Sequence, residues 1–392
     1  MTGPVGLDDA REAARALGTA RVPRHVPVAL ERAHGRVLAV EVRAAGAVPP
    51  VDVAAVDGWA VAGAGPWRVL GAAEVVGDVL PPGAATVVVT GAPLPRGADR
   101  VVRDVDGSVS REASDVPVLT LGRSTGRDHV RPRGQEMAAG EVVLPRGTVL
   151  RPLALGLAAA AGVDAVHVVV PPRTALLVTG EGLVGTGPSR PARTRDSLTH
   201  VLPDLLVALG ADLGHDLART SRLGDDPDAL ADVLSGPYRS TVDVVVVSGG
   251  TGRGRGDHLR RVLGQVGAHV VVDGLDVRPG GSALLAAVPD GPVVVGLPGE
   301  PAGAVLATVL LAGPLLAGWL GAPVADLSPV RLAGEVPAGP WPCALPAALD
   351  LATGAARPLA HARAGMLRGL AACDGLVVVG AGGAARWLPL PV

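Results

Sequence analysis

The stretch that decides the fold is VDVVVVSGGTGRGRGDHLRR, residues Val242 to Arg261. An apolar run, Val242–Val247, leads into a glycine-rich loop and then to Asp257 at a predicted helix start. Strand, glycine loop and helix in this order are typical of α/β sheets, which bind ligands at the carboxyl ends of their strands. Glycines allow backbone N–H groups to approach an anion closely. Two interpretations of Asp257 stay open here: a ligand of a phosphate-bridging metal ion, or an ordinary N-cap.

Length and composition describe a globular chain of several domains. The 392 residues are 48% hydrophobic and 18% charged, which is enough for two or three domains with sizeable cores. The formal net charge of −2 argues against a nucleic-acid partner. The sequence contains no lysine, so its basic side chains are arginine and histidine. Cys343 and Cys373 lie far apart in sequence and indicate a reduced, cytoplasmic protein rather than a disulfide framework.

Two segments could be mistaken for targeting or membrane signals. Leu7–Leu17 is acidic and amphipathic, so we predict a short helix there rather than a signal peptide. Ala302–Ala322 is free of charge and long enough to suggest a membrane span. Glycines and a proline interrupt it, and it follows a predicted strand and turn directly. We therefore predict a buried helix of an α/β layer and no membrane partner.

The order of the patterns predicts a multi-domain α/β plus β protein. It comprises a partly helical linker domain, an inserted small β domain, a central three-layer α/β domain with a mostly parallel sheet, and a C-terminal β domain. In that order the domains are residues 1–45 with 138–172, residues 46–137, residues 173–326 and residues 327–392.

Individual elements follow from periodicity and from cap and turn signals. The further predicted helices are one within Val26–Val42, one over Asp196–Leu209 and one over Asp226–Leu234, the last capped by Asp225 or Asp226. The predicted strands are Trp67–Leu70, Thr86–Thr90, Arg100–Val105, Val116–Leu121, Ala175–Val178, Val242–Val247, Val293–Val295, Val330–Val336, Ala344–Leu351, Gly375–Val379 and Arg386–Leu390.

Acidic side chains accompany the glycine-linked loops. Carboxylate oxygens suit Mg²⁺, which needs few protein ligands and keeps several waters. Spacing alone does not place these acids on one ion, and each could instead be a cap or a turn residue. The candidates are Asp57, Glu136, Glu181, Asp225 and Asp257.

Taken together, the loops resemble the molybdopterin molybdenumtransferase family of the MoeA/gephyrin type. The resemblance covers nearly the whole chain, and the segments occur in the family's order. The matching segments are AAVDGWA (54–60), VVVTGAPLPRGADRVV (87–102), VRPRGQEMAAGEVV (130–143), VTGEGL (178–183), RDSL (195–198), LGDDPDAL (223–230), VVVVSGGTGRGRGD (244–257) and GLPGEP (296–301).

The resemblance implies an enzyme of molybdenum cofactor biosynthesis. Such an enzyme takes adenylylated molybdopterin (molybdopterin-AMP) and molybdate as substrates, inserts the molybdate and releases AMP with the aid of Mg²⁺. The implied partners are a second copy of the chain, forming a homodimer, and the molybdopterin adenylyltransferase.

The resemblance also implies site residues. The implied catalytic residues are Asp57, Glu136, Asp225 and Asp257, of which Asp57, Glu136 and Asp257 would hold the metal ion. The implied cofactor-binding residues are Thr90, Gly91, Thr179, Gly180, Glu181, Asp196, Ser197, Ser248, Gly249, Gly250, Gly254, Arg278, Pro298, Gly299 and Glu300.

The chain departs from the family pattern mainly where the family binds the molybdate oxyanion. A lysine and a serine of the family are replaced at Gly281 and Gly303, and an asparagine is replaced by Glu300. Arg278 and Arg255 could compensate, since arginine binds oxyanions well. Elsewhere, Gly182 stands where the family has an acid. Glu136 stands where the family's RGED string has its aspartate, so the carboxylate is kept on a side chain one methylene longer. Further replacements are Gly252 for a serine and Leu198 for an asparagine.

Three hypotheses remain open. The chain is an active molybdenumtransferase, or it is a catalytically impaired paralogue that binds molybdopterin or a protein partner as a scaffold. A third, an adenylyltransferase acting one step earlier, conflicts with the inserted and C-terminal β domains. Fold-level resemblance alone does not establish the chemistry.

Overall fold

The computed structural model describes residues 3–71, 74–111, 116–122, 126–214, 220–236, 240–334, 336 and 341–391. The chain divides into two compact units, Pro27–His167 and Met1–Val26 with Val168–Val392. The division into four domains stays a prediction.

Seven α-helices lie in the described residues. They are α1 (Leu7–Thr19), α2 (Pro152–Ala160), α3 (Leu202–Ala208), α4 (Pro227–Ser235), α5 (Leu259–Gln265), α6 (Pro301–Ala307) and α7 (Gly313–Leu320). A π-helical turn, Thr308–Ala312, joins α6 to α7. Short 3-10 turns occur at Leu30–Arg32, Val76–Asp78, Leu198–His200 and Leu370–Ala372.

The unit Pro27–His167 is built mainly of short strands, of which the first and the last extend two residues beyond it. They are β1 (His25–Ala29), β2 (Val42–Arg43), β3 (Val53–Ala54), β4 (Gly58–Val61), β5 (Trp67–Leu70), β6 (Ala84–Val88), β7 (Arg100–Arg103), β8 (Gly107–Arg111), β9 (Pro117–Leu121), β10 (Val130–Arg131), β11 (Val142–Leu144) and β12 (Ala165–Val169). Six of them form one sheet in the order β7-β4-β6-β5-β9-β8, and the others pair as β10-β3, β11-β2 and β1-β12. Apolar side chains pack on both faces of the six-stranded sheet.

The other unit contains two larger sheets. Its strands are β13 (Thr174–Thr179), β14 (Leu183–Val184), β15 (Thr194–Arg195), β16 (Thr220–Leu223), β17 (Val244–Ser248), β18 (His269–Asp273), β19 (Leu284–Ala287), β20 (Val293–Leu297), β21 (Ser328–Pro329), β22 (Arg331–Leu332), β23 (Cys343–Asp350), β24 (Ala355–Pro358), β25 (Gly375–Val379) and β26 (Ala385–Pro389). The C-terminal sheet has the order β21-β26-β25-β23-β24-β22.

The central sheet has the order β16-β13-β17-β20-β19-β18. The first four of these strands are parallel, and β19 runs against its neighbours. One face packs on α1, α3 and the α6–α7 segment, and the other packs on α4 and α5. The predicted three-layer α/β architecture is therefore confirmed, and it brings the carboxyl ends of four parallel strands to one edge of the sheet.

Within the described residues, one helical segment is long and apolar enough to cross a membrane, namely Pro301–Leu320. It has a mean hydropathy of 1.9 and is 94% buried inside the protein. Its apolar character is accounted for by packing against the central sheet and α1, as the sequence predicts.

Some predicted elements differ from the structure. The helix predicted within Val26–Val42 is wrong, because the chain there forms β1 and the short 3-10 turn. The helix predicted over Asp196–Leu209 is divided into a 3-10 turn and α3. Helix α5 begins at Leu259 with His258 as its N-cap, so the N-cap interpretation of Asp257 is wrong. The strand predicted over Val330–Val336 falls partly outside the described residues, since residue 335 is not among them.

Candidate functional site

The site is built from loops that leave the carboxyl ends of the parallel strands. Thr179-Gly180-Glu181 follows β13, Gly224-Asp225-Asp226 follows β16, Ser248-Gly249-Gly250 ends β17, and Pro298-Gly299-Glu300 follows β20. Because these strands are neighbours in one parallel sheet, the four loops lie side by side. Loops in this position are where α/β proteins bind ligands.

A first, small cavity of about 10 Å³ lies on the α4–α5 side of these loops. It is lined by Thr179, Gly224, Asp225, Asp226, Leu230, Val247, Gly249, Gly250, Gly256, His258 and Leu259. Gly249 and Gly250 have φ angles of +92° and +63°. A Cβ on Gly249 would come within 2.7 Å of Thr179 Oγ1, so the loop passes the end of β13 only because this residue is glycine.

The two aspartates of this cavity have different surroundings. The Asp226 side chain accepts hydrogen bonds from the N–H groups of Asp228 and Ala229 and caps α4. Half-buried Asp225 accepts a 3.1 Å hydrogen bond from the Glu181 N–H. Asp226 is therefore used by the helix, whereas Asp225 leaves one carboxylate oxygen without a hydrogen bond in the described structure.

A second cavity of about 330 Å³ lies on the other side of the glycine loop. It is lined by Gly252, Arg253, Arg260, Arg278, Pro279, Gly280, Gly281, Ser282, Pro298 and Glu300. Three cationic side chains and one carboxylate thus face a single space. The excess of positive charge favours an anion, and arginine offers the planar donor geometry that oxyanions require.

Two of these arginines are held in place by Asp273, the last residue of β18. Arg260 Nε and Arg253 Nη2 lie 2.7 and 2.9 Å from its two oxygens. Burial alone would raise the pKa of Asp273, but the hydrogen bonds from Arg260 and Arg253 lower it below its ordinary value. Arg260 also donates to the carbonyl oxygens of Thr251, Gly252 and Ser282, which ties the glycine loop to the loop before β19.

Arg278 is exposed, and among the described residues no carboxylate pairs with it. Its guanidinium lies over the ring of Trp341, 5.4 Å from the centroid. Arg278 is therefore the cation of this cavity whose donors are most available to a ligand.

Asp257 folds back over the glycine loop. Its Oδ2 accepts a 2.8 Å hydrogen bond from the Gly254 N–H. The same oxygen would lie 2.3 Å from a Cβ on Gly252, so the glycine at this position leaves room for the carboxylate. Oδ1 of Asp257 accepts no hydrogen bond in the described structure.

Three other predicted residues are buried or structural. Ser248 is 1% exposed, and its Oγ has no hydrogen-bond partner in the described part of the chain. Asp196 is 2% exposed and accepts from Leu198, Thr199 and Arg222. Burial alone would raise the pKa of Asp196, but these hydrogen bonds lower it. Ser197 contributes its carbonyl oxygen to the adjoining 3-10 turn. The structure thus gives Asp196 a folding role, since its oxygens are already used.

The unit Pro27–His167 holds the remaining predicted residues. Asp57 is exposed, and its Oδ1 accepts from the N–H and the hydroxyl of Thr90 at 2.6 and 2.8 Å. The hydrogen bond from the Thr90 N–H, followed by that from its hydroxyl, lowers the pKa of Asp57 below its ordinary value. Gly91 takes the turn after β6 with a φ of +83°. Glu136 is exposed in the loop after β10.

The acids do not form a metal cage within the described residues. No group of three or more His, Cys, Asp or Glu there lies close enough to hold a metal ion. Asp57 and Glu136 belong to one unit and Asp257 to the other. Within one unit, Asp225 and Asp257 each keep a carboxylate oxygen that accepts no hydrogen bond in the described residues, which fits a Mg²⁺ ion held by one or two carboxylates together with substrate phosphates.

Sequence reasoning missed Arg253, Arg260 and Asp273. One usable signal is the position of Arg260 in the first turn of α5. The helix dipole disfavours a positive charge there, so this position predicts a nearby carboxylate that pairs with Arg260. Asp273 ends a strand next to the same loop, which is where that partner lies.

The geometry defines an α/β protein with an acidic cavity and an arginine-lined cavity on the two sides of one glycine loop. Two family models match the chain: the MoeA N-terminal region, domains I and II, over residues 5–162, and a probable molybdopterin-binding domain over residues 175–318. The chain belongs to the molybdopterin molybdenumtransferase family of the MoeA type.

Relatives and solved structures agree with this. Molybdopterin molybdenumtransferase 2 of Mycobacterium tuberculosis is 32% identical over 260 residues, and molybdopterin molybdenumtransferase 1 of the same organism is 31% identical over 291. These matches cover 62% and 66% of both this chain and the relative. A crystal structure of a molybdopterin biosynthesis MoeA protein from Pyrococcus horikoshii superposes with a TM-score of 0.75 at 25% identity over 99% of each chain.

Proposed function

We propose that this protein acts in molybdenum cofactor biosynthesis and inserts molybdate into adenylylated molybdopterin, with Mg²⁺-dependent release of AMP. The observation that supports this most is the pair of cavities on the two sides of the Gly249–Gly256 loop. One offers carboxylates near backbone donors, and the other offers arginines. The first cavity, of about 10 Å³, has room for a metal ion or a water beside a substrate phosphate, and the second, of about 330 Å³, has room for a small oxyanion.

Cleavage of a pyrophosphate bond requires neutralisation of charge on its non-bridging oxygens. Asp257, and with it Asp225 of the same unit, would hold Mg²⁺ through their free carboxylate oxygens. The metal-binding roles that the family resemblance implies for Asp57 and Glu136 stay proposals. When bound, the ion would act as a Lewis acid toward the phosphate groups. The glycine loop would seat the phosphates, because Gly249, Gly250 and Gly256 line the first cavity without side chains of their own.

Molybdate is the second substrate, and the arginine-lined cavity would receive it. Arg278 would donate to the oxyanion directly, while Arg253 and Arg260 would act mainly through their fixed positive charge, since Asp273 already accepts from them. Ser282 also lines this cavity, and its Oγ lies 3.1 Å from Thr251 Oγ1. It would supply a hydroxyl donor where the family lysine and serine are absent.

One observation favours the impaired paralogue as a second candidate. Glu300 lines the same cavity as the arginines, so a carboxylate would face the incoming oxyanion. Like charges in one site oppose binding. A chain that binds molybdopterin but does not insert metal would therefore have the same architecture.

We keep the homodimer, the adenylyltransferase partner and the cytoplasmic location as proposals. The homodimer rests on the family resemblance. Sedimentation analysis should then give twice the 39.0 kDa chain mass. A monomer at all accessible concentrations would exclude the homodimer.

The Asp257→Asn variant tests the assignment of the carboxylates. It should abolish AMP release, because the amide lacks the charge that holds the metal ion, while circular dichroism and thermal unfolding stay unchanged. The matched control is Asp232→Asn on the exposed face of α4, which should retain full activity. Full activity of Asp257→Asn would show that the role assigned to this carboxylate is wrong.

A further inference from the structure

The backbone of Arg278 is fixed to the C-terminal sheet from both sides. Its N–H donates to the Pro342 carbonyl at 2.8 Å, and its carbonyl accepts from the Ala344 N–H at 2.8 Å. Trp341 directly precedes this paired segment. The cavity loop and the start of β23 are therefore held together, and the indole is brought to the arginine by the backbone.

The side chains complete this contact. The Arg278 guanidinium lies 5.4 Å from the Trp341 ring centroid, within the range of a cation–π interaction. A Cβ on Gly281 would lie 1.7 Å from Arg278 Nη1, so the guanidinium occupies the space that any larger residue at position 281 would fill. The guanidinium thus has the indole ring on one side and the side-chain-free loop on the other.

We propose that Trp341 is a positioning residue for the oxyanion: it holds the Arg278 guanidinium at the mouth of the arginine-lined cavity. This inference rests on the proposed function and assigns part of the molybdate affinity to a residue of the C-terminal sheet. A planar guanidinium stacks on an indole and still presents its edge donors to an oxyanion. An ammonium group, by contrast, would not be held in one orientation by the ring.

Direct binding of molybdate tests this without turnover. Calorimetry should show that Trp341→Ala weakens molybdate binding about two- to five-fold, the range of a cation–π contact at an exposed site. Trp341→Phe should recover most of the affinity, because it retains an aromatic face. Arg278→Lys should weaken binding although it keeps the charge.

A double variant separates positioning from general damage. In the Arg278→Ala background, Trp341→Ala should have no further effect, because the two residues would act through one contact. Arg146→Ala, an exposed arginine of the other unit, is the control for loss of a positive charge and should bind molybdate like the wild type. Thermal unfolding of each variant checks that the fold is retained.

The outcomes are distinguishable from those of the proposed function. Unchanged molybdate affinity in Trp341→Ala, or additive losses in the double variant, would overturn the positioning role even if AMP release proceeds. Wild-type protein that releases AMP but binds no molybdate by calorimetry would also overturn it. In that last case the cavity is not an oxyanion site, although the AMP-releasing reaction stands.

Discussion

Asp273 shows how one carboxylate organises the cationic side of the site. It accepts from Arg253 and Arg260 at the end of β18, and Arg260 in turn binds three carbonyl oxygens of neighbouring loops. Two guanidinium groups placed side by side would repel each other without it. Ionised Asp273 is thus required for the arginine-lined cavity to keep its shape.

The lowered pKa of Asp273 predicts a pH dependence for the Asp273→Asn variant. A carboxyl whose pKa is lower in the folded state stabilises the fold above its unfolded-state pKa and loses that contribution as pH falls through the folded-state pKa. Asp273→Asn should therefore unfold at lower urea concentration than the wild type at pH 7. The two proteins should converge in acid, below the ordinary value of 3.8. A urea midpoint difference that is the same at pH 7 and in strong acid would contradict this.

At the residue scale, the sequence predicts the glycine loop and its acids better than their partners. Gly249 and Gly250 follow the apolar run Val242–Val247 closely, and Asp257 ends the same glycine-rich loop, so their position at the sheet edge could be inferred from the chain alone. Strand β16, which precedes Asp225, is not among the predicted strands. The contact between Arg278 and Trp341 could not, because it joins positions that are far apart in sequence. Only the fold of the C-terminal sheet brings them together.

Among the elements, α1 and α7 approach each other through a pair of glycines. A Cβ on Gly18 would lie 2.0 Å from the Leu315 carbonyl oxygen, and one on Gly318 would lie 2.3 Å from that of Arg15. The two helices can therefore pack backbone to backbone. This contact places the N-terminal helix against the buried segment Pro301–Leu320.

Gly18→Ala should lower the free energy of unfolding by about 1–3 kcal/mol, because the added methyl group forces the two helix backbones apart. Gly156→Ala is the matched control, since it lies within α2 and has no atom within 4 Å of its added Cβ. That control should be neutral or slightly stabilising, because alanine favours helix. Chemical denaturation measures both, and equal effects of the two substitutions would show that the helix contact is not the cause.

At the element scale, local signals succeed where they are strong. The DDPDAL segment predicts α4 to within a residue, because Asp226 caps the helix and Pro227 suits its first turn. The prediction fails over Val26–Val42. The segment HVPVA (His25–Ala29) is too short for its apolar pattern to distinguish a helix from a strand, and pairing with β12 makes it a strand. Tertiary pairing is not visible in the local sequence.

For the whole molecule, the proposed reaction depends on the balance of charge in the arginine-lined cavity. The acids with free oxygens and the arginine-lined cavity support activity. Glu300 in the same cavity opposes it. Net charge does not decide between these, since the whole chain carries only −2.

The most direct measurement is AMP release from adenylylated molybdopterin with Mg²⁺, in the presence and absence of molybdate. We predict molybdate-stimulated release over many turnovers, together with formation of active cofactor. Binding of the substrate without AMP release would contradict it, and would identify the chain as a molybdopterin-binding scaffold.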